Sequence, residues 1–318
     1  MGVHRRHKSK ALFVLPMAGV LLAGILLVWI FFPGQSSVYG RETIILAANP
    51  MTVFSWDNRT RNLLLVSFPA DMTAEGTHGY GTYSLEAFWR LGEIDKKDGT
   101  VLSESVSEAL GIPVRLFIGP KTGMFSAGQD PFTLVKQTFS FSNLWAYAAG
   151  RLRTNIHPRA FLSYIWLMSV TKPGRVDTFD FTRRPADIAR EVELPDGSRQ
   201  WVVDAALVDN AVKMTFEDDR VRQELVSVAV YNTTQIPSLG TRVARLLGHI
   251  GVGVVSVGND APEVSDCSLT GTLETLKTMS ARVITDVLGC TQKESSETGR
   301  ADLVVRIGSS YAKRFLPN

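Results

Sequence analysis

The feature that most constrains this chain is an uncharged apolar stretch near its start, Ala11 to Phe32. As a helix, its roughly 22 residues would extend about 33 Å, enough to cross a bilayer core of about 30 Å. Basic residues that flank a span stay on the cytoplasmic side. We therefore expect residues 1–10 to be a cytoplasmic tail, 11–32 a single transmembrane helix, and the bulk of the chain to lie outside the cytoplasm. The basic residues just before the stretch are Arg5, Arg6, Lys8 and Lys10.

Two other interpretations of this stretch stay open. A cleaved signal peptide has a shorter apolar region, about 7–15 residues, and a cleavage site of small residues. The run here is longer, and residues 35–40 give only a weak site of that kind. A buried core helix is the other alternative, although a helix with no polar face is unusual in a domain of this size.

Charge argues against a nucleic-acid partner. The chain has 34 Lys and Arg against 31 Asp and Glu, and four of the basic residues belong to the N-terminal tail. The exterior part is therefore close to neutral, whereas nucleic-acid-binding surfaces are strongly basic.

The two cysteines, Cys267 and Cys290, both lie in the predicted exterior part, where disulfides can persist. Their spacing is not that of a metal or redox motif. They flank a predicted helix at residues 272–288, whose ends would be roughly 25 Å apart. A disulfide requires the chain to run back along that helix, and two buried free thiols are the alternative.

Residues 41–222 are predicted to form one α/β domain. Apolar runs at 42–48, 53–57 and 63–68 are typical of central strands, and the turn at 58–62 indicates a hairpin. Helices are expected after the capping Ser84 and at 103–110, with a loop at 79–83 and a strand at 112–118. Strands followed by helices and a further strand indicate a layered α/β fold.

The middle of this domain is less regular. Helices rich in aromatic residues are predicted at 143–152 and 159–170, followed by a strand at 175–181. The turn sequence of residues 195–198 predicts a second hairpin. Asp204 is expected to cap another helix. Residues 217–224 are highly charged and are predicted to be a solvated connector.

Residues 225–310 are predicted to form a separate small α/β domain. Strands are expected at 225–232, 252–257 and 302–307, and helices at 237–248 and 272–288. The first strand, helix and second strand form a βαβ unit, which almost always crosses over right-handed.

The segment Val230–Asn259, together with Asp302–Gly308, resembles the C-terminal domain of the LytR family. Upstream, the strands at 42–68 and the sequence Glu108–Pro113 resemble the first half of a LytR-CpsA-Psr catalytic domain. The resemblance implies a three-layer α/β domain followed by a small α/β domain, carried by one N-terminal membrane span. Members of that family transfer glycopolymers from a polyprenyl-pyrophosphate carrier to peptidoglycan.

One motif of that family is altered here. The family sequence Ser-apolar-Pro-Arg-Asp corresponds to Ser67–Asp71, with Ala70 in place of the arginine. Arginine holds two phosphate oxygens at once. Losing one charge-assisted hydrogen bond costs about 1.5–3 kcal/mol. In a transition state, that is roughly a 10- to 150-fold loss of rate. Asp71 is the weak catalytic or metal-ligand candidate, and a turn cap is its structural alternative.

The other candidates are few. His78 is the histidine to test for a function, since it follows Asp71 closely in the sequence. His249, at a helix end, is interpreted as structural, because a cationic ring suits the local helix dipole. Arg183 and Arg184 are interpreted as a solvated pair.

The leading hypothesis is a non-catalytic, membrane-anchored envelope protein that binds peptidoglycan or another envelope protein and needs no cofactor. The competing hypothesis is an active glycopolymer phosphotransferase with Mg²⁺, which would use other arginines. A pure scaffold without a wall ligand is the third possibility.

Overall fold

The computed structural model describes residues 38–125, 130–212 and 214–316, together with Gly24. The predicted tail and membrane segment, residues 1–32, therefore lie outside the described residues apart from Gly24. Among the described residues, no helix is both long and apolar enough to cross a membrane.

The elements are numbered in chain order. The strands are β1 Arg41–Leu46, β2 Met51–Asp57, β3 Leu63–Phe68, β4 Thr73–Gly76, β5 Gly81–Ser84, β6 Leu116–Pro120, β7 Leu152–Thr154, β8 Val176–Asp180, β9 Ala189–Glu193, β10 Arg199–Val203, β11 Ser227–Asn232, β12 Gly253–Asn259, β13 Ser268–Gly271, β14 Thr291–Glu294 and β15 Leu303–Ile307. The helices are α1 Leu85–Ile94, α2 Thr100–Leu110, α3 Pro131–Thr138, α4 Phe141–Ala148, α5 Pro158–Val170, α6 Ala205–Val212, α7 Asp219–Glu224, α8 Leu239–His249, α9 Met279–Leu288 and α10 Ser309–Ala312.

The first sheet has the strand order β7-β6-β1-β2-β3-β8 and is covered on both faces. Side chains alternate between the faces of a strand, so Ile45 packs with α1, α2 and α6, whereas Ile44 packs with α3, α4 and α5. Burial on both faces explains why β1 to β3 are continuous apolar runs. The predicted mixed α/β fold is confirmed, and this part of it has three layers.

Four strands of this sheet run in one direction. Strand β1 is parallel to β6, β3 is parallel to β8, and β2 pairs antiparallel with both β1 and β3. The carboxyl ends of β1, β3, β6 and β8 therefore meet at one edge, here called the carboxyl edge. The opposite edge, where β1 begins at Arg41, is called the amino edge.

The second sheet has the order β5-β4-β10-β9. The predicted hairpin at residues 195–198 joins β9 to β10. The loop prediction for residues 79–83 was partly wrong, because Gly81–Ser84 pairs with Thr73–Gly76 as a strand. Gly79 and Gly81 have positive φ, which is typical of a turn. Because the turn residues run directly into this short strand, its sequence resembles a loop.

The third sheet has the order β12-β11-β15-β13-β14. Helix α8 connects the parallel strands β11 and β12, as predicted. Two short strands, β13 and β14, were not predicted. The predicted helix at 272–288 is shorter, because the Thr278 side chain accepts the N–H of Ala281 and starts α9 there. The predicted connector at 217–224 contains α7, capped by Asp218.

The new strands bring the two cysteines together. Cys267 precedes β13 and Cys290 precedes β14, and these strands are parallel neighbours with Ser268 opposite Thr291. Helix α9 returns the chain between them, so the two thiols meet at the starts of adjacent strands. They form a disulfide, with a sequence separation of 23 residues.

Replacing both Cys267 and Cys290 with Ser should lower the free energy of unfolding by roughly 3 kcal/mol, since the crosslink restricts the unfolded chain. Urea denaturation of the parent protein, with and without reductant, measures this loss. The double variant is the control and should not respond to reductant. Equal stability of the reduced and oxidised parent would contradict the prediction.

Candidate functional site

The carboxyl edge is the place where the fold gathers the candidate residues. In open sheets of this kind, ligands bind at the carboxyl ends of parallel strands. Asp71 lies just after β3, and Arg183 and Arg184 lie just after β8. The N–H of Phe181 donates to the carbonyl of Ser67 at 2.8 Å, so the two chain segments leave the edge side by side.

Ala70 is enclosed by the turn that follows β3. It is only 2% exposed. Its carbonyl accepts the N–H of Glu86 at 2.9 Å, and the carbonyl of Met72 accepts that of Leu85. These bonds attach the first turn of α1 to the turn. The methyl group of Ala70 is therefore enclosed, and an arginine at position 70 would have to displace its neighbours.

Asp71, one residue on, is exposed. Among the described residues it forms no ion pair with an arginine. Arg183 instead lies 3.4 Å from Asp180, and Arg184 lies 3.4 Å from Asp187. Both arginines are exposed. The fold thus brings two arginines to the edge that carries Asp71, but each is paired with its own neighbouring carboxylate.

Another arginine of this sheet is buried on the edge strand β7. Arg153 stacks on Trp89, with 4.1 Å from its Cζ to the ring centroid, and its Nη2 lies 3.4 Å from Glu93. Its Nη1 donates to the carbonyl of Trp89. Arg153 therefore holds α1 against β7, the outermost strand of the sheet, and is not directed at Asp71.

A metal site is not preassembled in the described part of the chain, where no group of three or more His, Cys, Asp or Glu side chains is arranged to hold an ion. Asp180, which ends β8 at the same edge, accepts the N–H of Thr182 at 3.0 Å. Asp71 is thus without the further carboxylate or histidine partners that a preformed Mg²⁺ site in the described part of the chain would need.

A second polar region lies where the third-sheet unit contacts the first. Arg245 of α8 donates to the carbonyls of Glu108 and Ala109, at 2.8 and 3.1 Å. Its Nε donates to Asp209 of α6 at 2.5 Å. The ring of His249, one turn further along α8, contacts the carbonyl of Gly111 at 2.9 Å. We call this region the junction.

The junction continues toward the C-terminal segment. His78 lies 2.7 Å from Glu104 through its Nε2, and its backbone N–H donates to the carbonyl of Arg314. The other ring nitrogen of His78 is buried without a hydrogen-bond partner among the described residues. Arg242 of α8 pairs with Glu75 at 2.8 Å. His78 is thus placed among contacts between the two units.

Burial controls protonation at the junction. It raises the pKa of Glu108 above its usual range, against the opposing effect of Arg242, Arg314 and Arg245. Burial also lowers the pKa of His249, although Asp209 acts in the opposite direction. Burial thus favours the neutral ring of His249 over the cationic form suggested by the helix dipole, and the contact with Gly111 is consistent with the structural interpretation of this residue.

Sequence reasoning did not find the junction residues Glu108, Arg242 and Arg245. The hydrogen bonds from Arg245 to α2 join residues 137 and 136 positions apart. No local pattern reports such a contact. The one signal in the sequence was the pair Arg242 and Arg245, three residues apart on α8. Such a pair is equally typical of a solvent-exposed helix face.

A family model described as "LytR cell envelope-related transcriptional attenuator" matches residues 225–311. We refer to these residues as the LytR C-terminal domain, after the family to which they are similar. The resemblance noted in the sequence of this segment is confirmed by that match. No curated protein matches the chain.

Several solved structures are similar to a little over half of this chain at low TM-scores. The yvhJ protein of Bacillus subtilis, described as a transcriptional regulator, is 14% identical, with 54% of this chain and 94% of that chain covered and a TM-score of 0.37. TagV of B. subtilis is 12% identical, with 54% and 92% covered and a TM-score of 0.34. A LytR-CPS2A-psr family protein, YwtF (TagT) with bound octaprenyl pyrophosphate lipid, is 11% identical, with 57% and 91% covered and a TM-score of 0.35. Similarity at this level does not by itself establish a shared fold or function.

Replacing the buried Ala70 with Arg should destabilise the protein by several kcal/mol, since about 3–5 kcal/mol is typical of an uncompensated buried charge. The matched control is Asp71→Arg at the exposed neighbouring position, which should change stability by no more than about 0.5 kcal/mol. Urea denaturation measures both. Equal stability of the two variants would mean that position 70 is open to solvent.

The raised pKa of Glu108 makes a pH-dependent contribution to stability. A raised folded-state pKa favours folding at low pH, and this contribution is lost as pH rises from the ordinary value of 4.5 through the folded-state pKa. Stability of the parent relative to Glu108→Gln should therefore fall as pH rises through this window. Denaturant titrations across pH measure it. Glu263→Gln, at an exposed position, should give a curve parallel to the parent, and a parallel curve for Glu108→Gln would refute the prediction.

Proposed function

We propose that this chain is a membrane-anchored cell-envelope protein that binds a wall component or a protein partner and does not catalyse glycopolymer transfer. Residues 11–32 anchor it, residues 1–10 stay in the cytoplasm, and the remainder lies outside. The envelope role is supported by the LytR C-terminal domain match at residues 225–311. The location is supported by the uncharged apolar stretch and the basic residues before it.

The observation that supports a non-catalytic role is the burial of Ala70. The resembling family places a phosphate-binding arginine at this position. Here the position is enclosed by the turn and the start of α1. Transfer from a pyrophosphate carrier develops charge on phosphate oxygens, and stabilising that charge is the largest single contribution that such a site makes to the rate.

One observation favours the alternative, a phosphotransferase. Arg183 and Arg184 follow β8 at the same edge as Asp71. Their ion pairs with Asp180 and Asp187 are exposed, and exposed pairs contribute at most about 1 kcal/mol. An anionic carrier could therefore replace these carboxylates as the partner of the arginines.

A transfer assay separates the two functions. The full chain in detergent, given a polyprenyl-pyrophosphate-linked sugar, peptidoglycan and Mg²⁺, is expected to release no product above the protein-free reaction. Metal-dependent turnover that is abolished by Asp71→Ala and reduced by Arg183→Gln would instead establish the phosphotransferase. Asp196→Ala, an exposed hairpin residue, serves as the matched surface control.

Binding is tested separately from catalysis. We expect the full chain to be retained on purified peptidoglycan, or to capture another envelope protein after crosslinking in cells. Retention of neither would leave a scaffold without a wall ligand, and the binding part of the proposal would then be wrong.

A further inference from the structure

The segment between Asp130 and Asp177 contains no acidic residue. Its 46 residues, counted from the sequence as 131–176, form α3, α4, β7, α5 and the turn before β8. Charged residues are about a quarter of an average protein, with both signs mixed. Here every charged side chain is basic. They are Lys136, Arg151, Arg153, Arg159, Lys172 and Arg175.

The outer helices of this segment also expose large apolar side chains. Trp145 is 81% exposed and Phe141 70% exposed, four residues apart on α4. Trp166 is 64% exposed and Val170 52% exposed, four residues apart on α5. Residues spaced by four lie on the same side of a helix. We call these four residues the aromatic face.

Helix α5 is firmly packed, with Phe161, Tyr164 and Met168 among its buried residues, whereas α4 has no fully buried residue. Tyr147 of α4 stacks on Phe161 of α5 at 4.4 Å between ring centroids, and this contact attaches α4 to the core. The aromatic face is the outward side of these two helices.

The basic residues of the segment are free to meet an external anion. Apart from Arg153, which pairs with Glu93, none of them forms an ion pair among the described residues. Lys172 and Arg175 immediately follow α5 and are exposed. Basic side chains thus adjoin the aromatic face at the end where Val170 lies.

The face lies near the point where the predicted membrane segment joins the domain. Tyr164 of α5 donates a hydrogen bond to the side chain of Glu42, the second residue of β1 at the amino edge. Val176, just after α5, is in register with Leu63 and through it with Trp56 and Glu42. The end of α5 and the start of β1 therefore share the amino edge.

The chain between them is short. The apolar stretch ends at Phe32, and the continuous described chain begins at Val38. Six residues reach at most about 20 Å when extended. A domain tethered this closely is held beside the bilayer surface.

We propose that the aromatic face is a docking surface for the anionic outer surface of the membrane that carries the anchor; this rests on the proposed membrane location. Tryptophan is enriched at the headgroup level of bilayers, and tryptophan and phenylalanine form the apolar face of helices that bind the interface. Neighbouring Lys and Arg are attracted to anionic lipids. A charged glycopolymer would satisfy the basic residues but leaves the exposed apolar side chains without a partner.

Docking would also orient the chain. The LytR C-terminal domain contacts α2 and α6 through Arg245, on the other face of the first sheet from α4 and α5. Docking would therefore fix which face of the first sheet is turned toward the bilayer, while Tyr39, which is buried in the core cluster of that domain, keeps the domain close to the anchor as well.

Site-specific fluorescence in vesicles tests the docking. The full chain is reconstituted into neutral phosphatidylcholine vesicles and into vesicles containing phosphatidylglycerol, carrying an environment-sensitive label at Trp145→Cys or Trp166→Cys. Both native cysteines are in the disulfide, so the introduced thiol is labelled. The matched control is Ile94→Cys, at a position 72% exposed on α1 in the opposite layer.

We expect a blue shift and quenching by spin-labelled lipid at positions 145 and 166 in anionic vesicles, and neither at 94. In the double variant Lys172→Glu and Arg175→Glu, the response to anionic lipid should be lost. The response to anionic lipid should also be lost at about 1 M salt, where the screening length is only about 3 Å.

Three results would overturn the proposal. Labels at 145 and 166 could stay water-exposed while the chain floats with the vesicles, which leaves the anchor intact and removes only the docking. Position 94 could respond equally, which means non-specific adsorption. The blue shift could occur only after an anionic glycopolymer is added, in which case the aromatic face binds the polymer and not the membrane. Failure of the chain to float with vesicles would instead refute the membrane location itself.

Discussion

The arrangement of the two α/β units depends on the guanidinium of Arg245. The last carbonyls of a helix have no partner within it. Arg245 supplies N–H groups to two such carbonyls at the end of α2, those of Glu108 and Ala109, while its Nε meets Asp209 on α6. Arg245 thus caps α2 of the first unit, and the carboxylate of Asp209 on α6 neutralises its positive charge. Because Arg245 lies on α8, the LytR C-terminal domain packs against the layer formed by α2 and α6.

Arginines and carboxylates are interspersed at this junction. The half-buried Glu108 lies beside Arg242, Arg245 and Arg314, yet desolvation still raises its pKa. The desolvation penalty of a buried carboxylate is several kcal/mol, which nearby charges only partly offset. Burial also disfavours the charged form of His249. Because that form is the protonated ring, the pKa of His249 is lowered. Contacts between units of this kind titrate as a group and not as independent side chains.

The sequence could be interpreted reliably where structure is local. The apolar runs of β1 to β3 predicted central strands, because burial on both faces leaves no room for alternation. Strand β14, Thr-Gln-Lys-Glu, is exposed at all four positions and carries no such signal. The meeting of Cys267 and Cys290 depends on that strand, so the sequence left it open. At the candidate site, the loss of the arginine was visible, but the enclosure of Ala70 depends on bonds to Leu85 and Glu86 that no short motif reports.

The buried alanine and the exposed aromatic face bear on the same question. The turn at Ala70 is closed by the first turn of α1. The exposed features lie elsewhere, on α4 and α5 and on the LytR C-terminal domain across the sheet. In the proposed role, α4 and α5 face the bilayer, and the LytR C-terminal domain packs on the other face of the first sheet. Binding then uses surfaces away from the carboxyl edge, where Arg183 and Arg184 keep their own carboxylate partners.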